Sequence, residues 1–202
     1  MIMSPQNSPL GKSPSGYKEV LYWKINEEPR RFVILYFLPI LLAILIGIGN
    51  YFFVQVFGGS PLLALNNQEL LIFLVGIPIV LALHEFVHGF VMQSFGAIPR
   101  YGFWKRGLMF YAKAPGHYFK RNQYALIILA PLLSLSVFIC LGIFWLASNS
   151  FVWVLALWAI VNASAANVDV WITALVFRYP GSTYVIDEQD GIRILVLQVD
   201  LP

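Results

Sequence analysis

The stretch Leu70 to Phe95 reads LLIFLVGIPIVLALHEFVHGFVMQSF. It is long enough to cross a bilayer core, which takes about 20 apolar residues. Its only ionisable side chains are His84, Glu85 and His88. Two histidines four apart share one helix face about a turn from each other. Both can reach one tetrahedral ion, most often zinc, and the glutamate beside the first can take a proton from water activated by the metal. Three ionisable groups in hydrocarbon are costly, so their presence argues for function rather than packing. The alternative is a hydrogen-bonded polar cluster that fixes how helices pack.

The rest of the chain agrees with a membrane setting. Of 202 residues, 59% are hydrophobic and only 11% charged, against about 25% charged in soluble domains. Four apolar stretches qualify as spans: 32–56, 70–95, 124–147 and 151–177. A cleaved leader is not expected, because the first run is too long and starts too far from Met1. Lys12, Lys18, Lys24, Arg30 and Arg31 precede the first span. Arg100, Lys105, Arg106, Lys113, Lys120 and Arg121 lie between the second and third, and Arg178 and Arg193 follow the fourth. The two other connections hold no lysine or arginine. This alternation predicts a multi-pass protein with both termini in the cytoplasm. The single cysteine, Cys140, excludes an intramolecular disulfide.

The predicted organisation is a disordered segment over 1–16, a cytoplasmic juxtamembrane segment over 17–31, a four-span domain over 32–177 and a cytoplasmic tail over 178–202. The fold class is all-α with small cytoplasmic hairpins. One covers about 99–113, where two aromatic-rich runs flank Lys105-Arg106-Gly107; a plain interfacial loop is the rival reading. The other covers 183–196, around Asp190-Gly191. Pro39, Pro78 and Pro131 fall inside spans, where neighbours must satisfy the freed carbonyls.

A catalytic zinc site usually takes three protein ligands. Asp169, the one ionisable residue of the fourth span, lies eight residues before its end, and His88 lies seven before the end of the second. At about 1.5 Å per residue these groups share one depth. Two imidazoles, a carboxylate and a hydroxide would also neutralise a divalent ion, which low dielectric demands. Asp169 is therefore the expected third metal ligand, with a partner orienting one histidine as its other possible role. Asn162, two turns earlier, is a candidate for positioning substrate or for an interhelical hydrogen bond. His117 is expected at the surface.

Together, the H-E-x-x-H motif in an apolar helix, the aromatic and basic connection, two further spans and the Asn162–Asp169 polar stretch resemble the putative zincin peptidase family. That family is similar in plan to site-2 proteases, the intramembrane zinc metalloproteases. The resemblance covers about residues 70–200. It implies one zinc ion on His84, His88 and Asp169, Glu85 as catalytic base, and hydrolysis of peptide bonds near the cytoplasmic face. The partners expected are membrane lipid and a membrane-protein or peptide substrate, with no nucleic acid. A non-proteolytic metal-binding scaffold and a metal transporter are the alternative functions.

Overall fold

The computed structural model describes residues 14–56, 65–104, 109–146, 150–188 and 191–200. Most of the expected disordered segment, the Lys105–Gly107 turn and Asp190 lie outside them.

The chain is mostly helical. Three helices are long and apolar enough to cross a membrane, Val33–Val56, Asn67–Ser94 and Arg121–Trp145. In the first, a π-wound turn at Val33–Phe37 leads into α1 (Leu38–Val56). The others are α2 (Asn67–Ser94) and α3 (Arg121–Trp145). The stretch expected as one fourth span is two helices, α4 (Val152–Ala165) and α5 (Asn167–Val176), bent by 43°. A fourth crossing exists if that pair counts as one. The break carries neither proline nor glycine. Asn167 takes the place of the broken helix bonds: its Oδ1 accepts from Val168 N–H at 2.6 Å and its Nδ2 donates to Ile34 O at 3.0 Å.

Both ends of α2 follow from its sequence. Asn66 caps the N-terminus, accepting from the backbone of Gln68 and Glu69 while Glu69 accepts from Asn66 N–H, a reciprocal capping box. At the C-terminus Gly96 adopts φ +82°. Gly96 N–H then reaches Gln93 O and Ala97 N–H reaches Met92 O, the paired bonds of a Schellman ending.

The predicted 99–113 hairpin is present as β2 (Arg100–Trp104) paired antiparallel with β3 (Met109–Lys113), with Tyr101 opposite Ala112 and Phe103 opposite Phe110. The predicted tail hairpin is also present, but within a larger sheet. β5 (Tyr184–Asp187) and β6 (Ile192–Leu197) pair with β4 (Tyr118–Lys120) and β1 (Tyr17–Trp23) in the antiparallel order β1-β6-β5-β4. The expected helical bundle with small hairpins is present, but β1 and β4 extend the tail hairpin to a four-stranded sheet. Strands β1 and β4 escape a local reading because their partners lie far away in sequence. Phe119, Val185, Ile194 and Val196 from the sheet share one core with Met92, Tyr124, Ile127 and Val176 from the ends of α2, α3 and α5. A second core, Val54, Ile143, Val152 and Trp153, lies among α1, α3 and α4. The sheet thus packs on one end of the bundle.

Asp187 joins the two layers. It is 8% exposed and accepts hydrogen bonds from Tyr124 Oη at 3.4 Å and from Ala114 N–H. Burial raises its pKa to about 7, against the opposing pull of Lys113 and of the bonds from Ala114 N–H and Tyr124. The folded protein therefore holds this proton more tightly than the unfolded chain, whose aspartates titrate near 3.9. Its contribution to stability falls as pH rises from about 4 to about 7 and is level above that. Asp187→Asn keeps an acceptor without the charge. We expect the variant's gain in melting temperature over wild type, followed by tryptophan fluorescence in detergent, to be larger near pH 8 than near pH 5. An equal offset at both would contradict this.

Candidate metal centre

α2 carries His84 and His88 inward. They are 2% and 6% exposed, and their rings meet edge-on with centroids 4.9 Å apart. The bend at Ala166 turns the first turn of α5 toward them. Asp169 Oδ2 lies 3.0 Å from His84 Nε2 and 3.5 Å from His88 Nε2. Ligands of one tetrahedral zinc stand about 3.3 Å apart, given bonds of about 2.0–2.1 Å. The two measured separations bracket that edge.

The outer nitrogen of each ring is already engaged. His88 Nδ1 lies 3.0 Å from Ile127 O. A carbonyl only accepts, so this nitrogen carries the hydrogen. His84 Nδ1 lies 2.9 Å from Asn162 Oδ1, while Asn162 Nδ2 donates to Pro131 O at 3.3 Å. That second bond fixes which end of the amide faces the ring, so His84 Nδ1 is also the donor. In the neutral rings both Nε2 atoms then present lone pairs to a carboxylate. Three such lone-pair atoms converging at one point can hold a cation between them, and the donor set suits zinc.

The acceptor for His88 has a cause in sequence. Pro131 has no N–H, so the carbonyl four residues earlier, Ile127, lacks its helical donor. His88 takes that vacancy. The proline of α3 thereby orients a histidine of α2.

Glu85 faces elsewhere. Its Oε2 accepts from Ala112 N–H of β3 at 2.8 Å, and its side chain lines a cleft of about 600 Å³ between α2 and the hairpin. The other walls include Pro78, Ile79, Ala82, Leu83, Phe86 and Phe110. Gly89 lets the hairpin sit this close, since a Cβ there would strike the Tyr101 ring. The ligand-type atoms of His84, Glu85 and His88 lie within 4.8 Å of one another, so this group can hold a metal ion. Asp169 touches both rings, whereas Glu85 is tied to β3 and opens to the cleft.

Asn162 is fully buried and its amide is spent on His84 and Pro131. His117 is half-buried against Phe119, ring centroids 4.5 Å apart, in the connection after β3. Sequence reasoning missed three features: Ile127 O and Ala112 N–H at the site, and the burial of Asp187 in the sheet. The first had a signal, a proline four residues downstream. The other two depend on chain segments meeting in space.

Pro131→Ala restores a helical donor to Ile127 O and sets it in competition with His88. We expect metal affinity, measured by competition with a chelating dye, to fall roughly tenfold, as for other losses of a histidine's orienting partner, with helical content unchanged. Unaltered affinity would contradict the link.

Comparison with known proteins adds a family. The model of the family described as putative zincin peptidase matches residues 77–184, more than half of the chain, and includes the H-E-x-x-H helix, the hairpin, α3 and the α4–α5 pair. No curated protein and no solved structure matches the chain significantly. The family's description implies zinc, which agrees with the donor set found here, and the chain belongs to the putative zincin peptidase family.

Proposed function

We propose that this protein is a zinc-dependent peptidase embedded in a membrane, cleaving peptide bonds near the cytoplasmic face. The observation that carries the reading is the division of labour around one point. His84, His88 and Asp169 aim their free donor atoms at each other, while Glu85 beside them opens into an apolar cleft. A structural metal site has no need of the last feature.

His84, His88 and Asp169 are the proposed ligands. Zinc bound there would polarise a carbonyl and lower the pKa of water to about 7. Glu85 is the proposed general base, taking a proton from the attacking water and returning it to the leaving nitrogen. Its bond from Ala112 N–H keeps the carboxylate at the inner wall of the cleft. Asn162 and Ile127 O hold the two rings.

The substrate must expose its carbonyls, so a helical segment would have to unwind. Ala112 N–H points off the hairpin toward Glu85. Alternate residues of a strand share an edge, so Phe110 N–H projects to the same side, into the cleft. An extended peptide can pair there by strand addition. The orientation, with both termini cytoplasmic, rests on the lysines and arginines gathered at the end of the bundle that holds the hairpin, the sheet and the site.

Glu85→Gln removes the base and keeps the side chain's shape. We expect the variant to retain wild-type metal content and to lose about two to four orders of magnitude in turnover of a reconstituted peptide substrate. Retained turnover would overturn the assignment, and metal transport across vesicles in both proteins would favour the transporter reading instead.

A further inference from the structure

A cavity of about 360 Å³ lies where the end of α2 meets the connection from β3 to β4. It shares no lining residue with the Glu85 cleft. Two turns written in the sequence build it. One is the ending of α2 at Gly96, which leads through Ile98 to Arg100, the first residue of β2. The other is Ala114-Pro115-Gly116-His117, where His117 N–H closes on Ala114 O at 3.2 Å and Gly116 adopts φ +77°. Proline in the second place and a glycine of positive φ in the third make a type II turn. Together the turns set Ile98, Arg100, Gly116 and His117 on the cavity wall.

That wall carries a cation and no acid. Arg100 stands directly opposite Lys113 in the β2–β3 ladder, and like charges so placed destabilise a sheet. Lys113 has the carboxyl of Asp187 within electrostatic reach. Arg100 has neither a hydrogen bond nor an ion pair from its side chain among the described residues. The His117 ring rests on Phe119, and its nitrogens likewise have no hydrogen-bond partner among the described residues. Asp187 takes the N–H of Ala114 but is not among the lining residues. Ile98, on the same wall, is 87% exposed, and no described large apolar side chain is more so. An isoleucine held out in this way loses its transfer free energy in water and recovers it against lipid.

We propose that this cavity receives the headgroup phosphate of an anionic phospholipid, with Arg100 and His117 as donors and Ile98 against the acyl chains. A guanidinium fork matches phosphate oxygens two at a time, and an imidazole adds one N–H donor. An anion seated here offsets the repulsion between Arg100 and Lys113. A free phosphate has the same oxygens, but Ile98 favours the lipid, since it sets an apolar side chain beside the anion. So does position: the cavity lies at the end of the bundle where lysines and arginines gather, the level of the headgroups. The bound lipid steadies the loop that leads into β2, the strand paired with the one that holds Glu85. The inference does not depend on peptidase activity.

The test uses the full-length protein in phosphatidylcholine nanodiscs that carry a trace of phosphatidic acid with a photoreactive acyl chain. Crosslinking is competed by unlabelled phosphatidic acid, by added phosphatidylcholine, and by inorganic phosphate. We expect phosphatidic acid to compete far better than phosphatidylcholine on the wild type. Arg100→Gln should weaken that competition roughly tenfold, the value of one charge-assisted hydrogen bond, and His117→Gln about threefold. Arg178→Gln removes the same charge from the tail, outside the cavity, and should leave the competition unchanged. Equal losses in Arg178→Gln and Arg100→Gln would reduce the effect to surface charge and overturn the site. No preference for phosphatidic acid over phosphatidylcholine would overturn it too. Displacement of the probe by millimolar inorganic phosphate would assign the cavity to a soluble anion and overturn the lipid. Should Arg100→Gln fail to fold, as judged by helical content, His117→Gln beside Arg178→Gln decides alone.

Discussion

Lone pairs aimed at one another inside an apolar bundle repel unless a positive charge lies between them. That constraint governs the inner end of α2. Each histidine spends its N–H on an acceptor behind it, Ile127 O for one and Asn162 Oδ1 for the other. In its neutral form each therefore turns a lone-pair nitrogen toward Asp169 Oδ2. The geometry makes sense with a divalent ion at the meeting point. With such an ion bound, two neutral rings and a carboxylate leave one positive charge, which a hydroxide would cancel in a medium that tolerates no excess.

The surrounding fold serves that point through broken helix bonds. Hydrocarbon allows irregular backbone only where protein satisfies it. Pro131 releases the carbonyl that orients His88. Pro39 and the π-wound turn release the carbonyl that Asn167 holds, and Asn167 begins the helix that carries Asp169 two residues later. The bend at Ala166 is thus tied to the π-wound turn before α1 on one side and aims a ligand on the other. The four-stranded sheet closes the same end of the bundle, and β3 of the separate hairpin ties that hairpin to Glu85. Defects in regular structure are concentrated where chemistry is proposed.

Much of this was legible in the chain. The spacing of His84 and His88 depends only on helix periodicity, and the lengths of the apolar runs depend only on hydrophobicity. The 99–113 hairpin was readable from aromatic runs around a basic turn. Equal depth in the two spans places Asp169 beside the histidines, and the structure sets its carboxylate within 3.5 Å of both. Other features are not local. Strand β1, with Lys18 and Glu19 in it, gains its partner from residues 192–197. The α4–α5 break has no proline or glycine to announce it and depends on Ile34 meeting Asn167. Asn162 offered two roles in sequence, and its placement between His84 and Pro131 O emerges only from helix register. Asp187 reads as a tail residue, yet the sheet folds it back against Tyr124.

One measurement bears most directly on the shared ion: metal content of the purified protein by mass spectrometry, wild type beside His88→Ala and Asp169→Ala. The account predicts one equivalent of zinc in the wild type and its loss in both variants, since α2 and α5 hold the ion together. Full zinc content in Asp169→Ala would contradict the two-helix site, and a wild type that binds no divalent ion would remove its basis.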